Sequence, residues 1–340
     1  MKKNLSVVIL AAGKGTRMKS NKAKVLHEVF FLPMIHHVLT AVEPLQAGRT
    51  VVIVGHQRQA VSAAIAGFKT ETVVQEEQLG TGHAVLLTEK VIPAGTGDVM
   101  ILCGDTPLLR PESLTAMLAQ HRASGAGAHG AVCTLMTAHV ADPYGYGRVL
   151  TTTDGEVIGI VEEKDGTPEE KVIKIINTGI YLIKRDALFT ALASVDRNNA
   201  QGEFYLTDII EKLVISNQKV CQFITPDPDE VLGVNSRLEL ALAHAEIQRR
   251  RNQALMLAGV SMESPESIVV ALSAKVESDC LLEPSVRLLG TTRLGRGCRV
   301  GQGAILTNCR IDASCEIGPY SCLTGVTLTA ASVIPPLTCR

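Results

Sequence analysis

The chain has 340 residues, 46% of them apolar, and a net charge of −1. That length accommodates about two domains with cores of their own, and the near-neutral balance argues against a general nucleic-acid surface. No apolar stretch is long enough to span a membrane, and the nine cysteines include no C-x-x-C pair, which points to free thiols in a cytoplasmic protein rather than a zinc or redox motif. The opening MKKNLSVVILAAGKG superficially resembles a secretory signal. Its apolar core is short and runs straight into a charged loop, so it reads as a first strand over residues 6–10. Further strands are predicted at 50–54, 72–75, 99–103 and 131–134, with helices at 34–42, 57–66, 83–89 and 112–122 between them. This alternation predicts a parallel sheet covered by helices, whose ligands sit beyond the carboxyl ends of the strands.

The first such end carries AAGKGTRMKSNKAK, residues 11–24. Gly13 and Gly15 permit a tight turn and close approach to the backbone. Lys14, Arg17, Lys19, Lys22 and Lys24 follow within a short span. Exposed backbone N–H groups beside cations suit a phosphate-rich ligand, while a solvated basic turn is the plain alternative. A dinucleotide-binding turn is disfavoured, because Met18 stands at its third glycine and no acidic residue ends a strand about twenty residues on. The spacing also fails the Walker-type loop.

In VVQEEQLGTGHA (73–84), Gln75 and Gln78 place amides on a loop, and Gly80, Thr81 and Gly82 open its backbone. Amides donate and accept at once, as a nucleobase edge requires; a polar loop with Thr81 capping a helix is the alternative. In VMILCGDTPLL (99–109), a buried strand delivers Asp105 to a loop. A carboxylate there is costly to bury unless it meets a cation or donors. Mg²⁺ bridging a nucleotide phosphate fits, and so does a turn or helix-cap aspartate. DPYGYGRV (142–149), GIVEEKD (159–165) and INTGIYL (176–182) bring Gly147, Glu162 and Asn177 beside strand-like runs, either to grip sugar hydroxyls or as ordinary turns.

Residues 236–258 read as one long helix, with Leu238, Leu242, Ala245 and Leu255 on an apolar face. Asn235–Ser236 supplies its cap and Gly259 its stop. Beyond residue 268, aliphatic anchors recur every six positions at Val276, Leu282, Leu288, Leu294, Val300 and Leu306. After five-residue steps they continue at Ile311, Ile317 and Leu323, then at Leu328 and Ile334. Small residues stand four beyond most anchors: Cys280, Thr292, Cys298, Ala304, Cys315, Ser321, Thr327 and Ser332. That period is the mark of a hexapeptide β-helix, with the cysteines as inward packing residues.

Taken in order, LAAGKGTRM (10–18), QLGTGHA (78–84), GDTPLL (104–109), YGYGR (144–148), GIVEEKD, NTGI (177–180), NNAQGEFYLTD (198–208) and GVNSRLEL (233–240) resemble the sugar-1-phosphate nucleotidyltransferases. The bacterial N-acetylglucosamine-1-phosphate uridyltransferases, usually the N-terminal half of a bifunctional enzyme, are the branch most resembled. The resemblance implies an α/β fold: a Rossmann-like nucleotidyltransferase domain (1–233), a connecting helix and linker (234–265), and a short left-handed parallel β-helix (266–340).

It also implies Mg²⁺-dependent transfer of uridylyl from UTP to N-acetylglucosamine-1-phosphate. The loop from Ala12 to Arg17 would wrap the UTP phosphates, with Arg17 and Lys24 neutralising charge and Leu10, Ala11, Ala12 and Gly13 among the substrate-binding residues. Gln75, Gln78, Gly80 and Thr81 would read uracil, with Gly104 beside the nucleotide. Asp105 and Asn235 would hold Mg²⁺. Gly147, Glu162, Asn177 and Thr207 would bind the sugar. A homotrimer built on the β-helix follows from the same kinship, with no nucleic-acid or membrane partner.

Two residues depart from the pattern: Ala23 stands where the family has proline, and Cys103 where an aromatic residue is common. The repeats reach Arg340 after about three coils, short of the region that carries acetyltransferase residues in bifunctional relatives, so no acetyltransferase activity is expected. The alternatives are another sugar-1-phosphate as substrate, or a nucleotide-binding hexapeptide protein without turnover.

Overall fold

Nearly every residue of the strand Leu5–Ala11 is buried, because Val7 and Ile9 face one core while Val8 faces another. The computed structural model describes residues 4–95, 97–125, 130–153 and 155–340. It divides into two compact units. One holds the chain up to Glu28 with Leu32–Glu239, and the other holds Val29–Phe31 with Leu240–Arg340.

In the first unit the sheet order is Val220–Ile224, Cys133–His139, Ile175–Lys184, Asp98–Cys103, Leu5–Ala11, Arg49–Val54 and Glu71–Val74. Leu5–Ala11 pairs in parallel with Arg49–Val54 and with Asp98–Cys103. Helices such as Met34–Val42, Thr81–Leu86 and Pro111–Ser124 connect these strands. Residues alternate between two apolar clusters along each central strand, so the runs look continuously hydrophobic. The sheet is mixed rather than wholly parallel, because Ile175–Lys184 runs antiparallel to both of its neighbours. The pair Arg148–Thr151 and Val157–Val161 extends from that strand.

The second unit is the left-handed parallel β-helix that the resemblance implies, built on the hexapeptide period. Its short strands stack into one five-stranded and two four-stranded parallel sheets. Leu282 pairs with Val300, Val300 with Ile317 and Ile317 with Ile334. Pairing begins at Ser261–Met262, so the stack holds more than the three coils expected. The small inward residue lies two positions before each anchor, which the five-residue steps make distinct from four positions after the last one. Cys309 and Val326 therefore fill the slots before Ile311 and Leu328, while Thr327 is exposed, contrary to expectation.

The helix Arg237–Leu257 buries Ala243, Ile247 and Leu255. The expected apolar face is off by about a residue, since Leu238 and Leu242 are exposed. Asn252 explains the choice of face: its Nδ2 donates to the carbonyls of Pro265 and Ile268 at 2.7 and 2.8 Å, at the start of the β-helix.

Candidate active site

Beyond Ala11 the chain turns through Gly13 and Gly15 into a short 3-10 helix, Thr16–Met18. Gly15 has φ 64°, and a β-carbon there would lie 2.6 Å from that of Lys24. Glycine thus lets the loop press against the segment that carries Lys24. Met18 is buried and anchors the turn, which accounts for an apolar residue where a dinucleotide-binding turn has glycine. The missing side chain of Gly13 would meet no protein atom within 4 Å, so packing does not require this glycine.

Four polar residues converge from three parts of the chain. The Lys24 ammonium donates to the Asp105 carboxylate and, at 2.6 Å, to Asn235 Oδ1. Arg17 donates to the same Asn235 oxygen at 2.7 Å. The main chain joins in, with Val234 N–H donating to the Asp105 carbonyl at 2.9 Å. Asp105 caps no helix, since Arg110 occupies that position before Pro111–Ser124; its carboxylate serves Lys24. Lys22 pairs with Glu28 instead, and Lys14 lines a neighbouring cavity with His56 and Arg58.

Among the described residues no group of three or more His, Cys, Asp or Glu side chains is set to hold a metal. Asp105 and Asn235 nevertheless supply a carboxylate oxygen and an amide oxygen at one point. Hard oxygen donors of this kind suit Mg²⁺ when phosphate oxygens and water complete its shell.

Beside this cluster lies a cavity of about 320 Å³ lined by Leu10, Ala11, Ala12, Gly13, Lys24, Gln75, Gln78, Gly80, Thr81, Cys103 and Asp105, among others. Gln75 is buried, and its Nε2 lies 3.0 Å from the Gly80 carbonyl and 3.2 Å from His83 Nδ1. Gln78 Nε2 donates to the Ala12 carbonyl at 2.8 Å. Thr81 does not cap its helix; its Oγ1 accepts from Leu206 N–H at 3.0 Å. Gly80 has φ 115°, and a β-carbon there would strike the Phe204 carbonyl at 2.5 Å. Gly104 donates its N–H to the Leu10 carbonyl at 2.9 Å, binding the two strand ends that frame the cavity.

Gly147, Glu162, Asn177 and Thr207 form a second cluster. Thr207 Oγ1 donates to Glu162 Oε1 at 3.1 Å, and Asn177 N–H donates to the Gly147 carbonyl at 2.8 Å. A β-carbon on Gly147 would lie 3.4 Å from Glu162 Oε2. Burial pushes the Glu162 carboxyl above its usual range. Cys103 links the clusters. It lines the cavity, and a β-carbon on Gly179 would lie 2.9 Å from its sulfur. Asn177 Oδ1 in turn accepts the Gly179 N–H at 3.1 Å. Burial pushes the Cys103 thiol up to about 12, so it is an inert wall rather than a nucleophile.

Sequence reasoning named no role for Glu203, which lines the cavity, or for Arg148. Arg148 is buried and donates to Glu163 at 2.7 Å and to the carbonyls of Tyr146 and Lys171, which fixes the loop that presents Gly147. A lone arginine entering a strand, with an acidic pair beyond it, was the available signal.

The fold and this constellation are those of a nucleotidyltransferase, and the chain belongs to the nucleotidyl transferase family, which residues 6–229 match. It is 50% identical over 307 residues to the bifunctional protein GlmU of Desulfotalea psychrophila, covering 90% of this chain and 89% of that protein. It is 43% identical to the bifunctional protein GlmU of Streptococcus equi subsp. zooepidemicus, covering 89% of this chain and 65% of that one. The GlmU of Geobacter metallireducens is 44% identical over 89% of this chain, which spans 63% of the relative's length.

Proposed function

We propose that the chain transfers the uridylyl group of UTP to N-acetylglucosamine-1-phosphate and releases pyrophosphate. The observation that carries this reading is the meeting of Arg17, Lys24, Asp105 and Asn235 beside a cavity lined by amides and glycines. A phosphate oxygen of the sugar phosphate attacks the α-phosphorus of UTP; the bond to the β-phosphate's bridging oxygen breaks, and pyrophosphate departs. Such chemistry needs positioned reactants and neutralised charge more than covalent help. Arg17 and Lys24 supply cations to the phosphates, and open backbone at Ala12 and Gly13 lets them approach. Gln75 turns its amide nitrogen into the protein, which leaves its carbonyl oxygen for the N3–H of uracil. Gly147, Glu162, Asn177 and Thr207 hold the sugar. Asp105 and Asn235 would hold Mg²⁺, which supplies further charge stabilisation at the phosphates.

The nucleotidyl transferase family match supports the transfer chemistry of this assignment. We place the enzyme in the cytoplasm, acting as a trimer through its β-helix; mass measured over a dilution series tests the trimer, and a persistent monomer removes it. No helix among the described residues is long and apolar enough to cross a membrane. The reaction is tested by pyrophosphate release from UTP and Mg²⁺ with N-acetylglucosamine-1-phosphate, glucose-1-phosphate or glucosamine-1-phosphate. Release with the first alone supports the full reading. Release with another sugar moves the specificity, and silence with all three overturns the reaction.

A further inference from the structure

Gln57 lies at φ 53° and ψ 38°, directly before the helix Arg58–Ala64. Left-handed backbone of this kind suits glycine or asparagine better than glutamine, and the Gln57 side chain makes no cap bond to its own helix. It reaches instead to a segment 34 positions earlier, where its Oε1 accepts the Ala23 N–H at 2.9 Å. Its Nε2 donates to the Asn21 carbonyl. Both ends of one amide are thus committed to the residues just before Lys24. Ala23 is buried, and its carbonyl accepts the Leu26 N–H at 3.0 Å, closing the turn Lys24–Leu26. The other side of Lys24 is set by Gly15. Its ammonium then joins Asp105 to Asn235.

We propose that Gln57 is a positioning residue: its amide fixes the main chain of residues 21–23 and so holds the Lys24 ammonium at Asp105 and Asn235. The inference rests on the site being the nucleotidyl-transfer centre proposed above. It concerns an exposed side chain, outside the cavity that Lys24 lines.

Gln57→Gly separates this role from a structural one. Glycine relieves the left-handed backbone but gives up both amide bonds, so a merely structural Gln57 predicts a shifted melting temperature with an unchanged rate. Loss of the clamp predicts instead a kcat lowered roughly tenfold, the worth of one to two modest hydrogen bonds, with KM for the sugar phosphate unaltered. A second readout does not depend on turnover. The Lys24 side chain is 14% exposed, and its labelling by an amine-reactive reagent, read by peptide mass spectrometry, should rise several-fold in the variant. Wild-type labelling of Lys24 in Gln57→Gly overturns the proposal, and so does a wild-type rate. If the unaltered chain releases no pyrophosphate from UTP with any of the sugar phosphates, the reaction fails as a reading, and the labelling still decides the clamp.

Discussion

Arg17 donates to Asn235 Oδ1 at 2.7 Å, across 218 positions of the chain. That bond ties the glycine-spaced loop after the first strand to the segment entering the long helix. Asn235 is itself held in place. The Glu239 carboxylate accepts from the N–H groups of Asn235 and Ser236, and Ser236 Oγ accepts from Glu239 N–H at 3.2 Å, a reciprocal cap. The helix start therefore both ends the first unit's chemistry and aims its acceptor at two cations.

Replacing Asn235 by alanine removes an oxygen shared by Arg17 and Lys24. We expect kcat to fall roughly a hundredfold, in the range found when one preorganised electrostatic contact is lost. Asn235→Asp keeps an oxygen at the same place and should retain much more activity, although it turns the amide donor bond to the Gly233 carbonyl into a repulsion. Pyrophosphate release at saturating substrates, with a melting curve for each variant, checks both. Equal rates for the two variants would show that the oxygen is not what matters.

Gln75→Glu tests the base-reading assignment. The substitution is nearly isosteric and keeps an acceptor oxygen, but a carboxylate cannot donate to the Gly80 carbonyl and is repelled by it, so it loses the bond that aims that oxygen at the base, besides placing charge in a buried position. KM for UTP should rise about tenfold or more, the worth of one lost charge-free hydrogen bond plus the new penalty. KM for the sugar phosphate should stay the same. Initial rates over both substrates decide it, and an unchanged KM for UTP would remove Gln75 from the nucleobase site.

The β-helix was legible because an aliphatic residue must fill each inward corner, and that requirement repeats along the chain. The same residues misled at Thr327, where a shortened coil shifts the slot back to Val326. The strand ends carrying Gly13 and Asp105 were legible from apolar runs that stop at glycine. The antiparallel course of Ile175–Lys184 was not, because a run buried on both faces carries no mark of direction. Nor does spacing reveal that Asp105 meets Asn235; a bond between distant segments leaves no local pattern, and only kinship suggested that pair. Arg148 escaped because its partners are mostly carbonyls, which every residue has.

Asp208 should set part of the pH dependence of stability. Burial, then repulsion from Asp196, Glu162 and Glu211, pushes its carboxyl from 3.8 up to about 6. The folded state therefore binds the proton more tightly than the unfolded chain. Stability falls as pH rises from about 4 to about 6, and the penalty persists above that window. Asp208→Asn removes it. The variant should gain about 1 kcal/mol at pH 7.5, after discounting a half-buried carboxylate for solvent screening, and nothing near pH 3.5. Thermal melts at both pH values measure this, and a gain of equal size at both would point to packing instead of charge.

The inward cysteines of the β-helix act as hydroxyl substitutes. Cys298 Sγ donates to the Asp312 carbonyl at 3.1 Å, and Cys315 Sγ to the Thr329 carbonyl at 3.2 Å. In equivalent slots Thr292 Oγ1 donates to the Leu306 carbonyl and Ser321 Oγ to the Pro335 carbonyl, each at 3.1 Å. Cys298→Ser keeps a donor in a slot that serine already fills elsewhere, so it should cost within about 1 kcal/mol. Cys298→Val fills the space without a donor and overpacks a closed corner, at a cost of about 1–3 kcal/mol. Burial also pushes the Cys298 thiol up to about 11, which suppresses its thiolate. Iodoacetamide should therefore label the exposed Cys322 and Cys339 first and leave Cys280, Cys298, Cys309 and Cys315 untouched in the folded protein. Early labelling of Cys298, or a valine variant as stable as the serine one, would show that the corner thiols are neither sealed nor bonded.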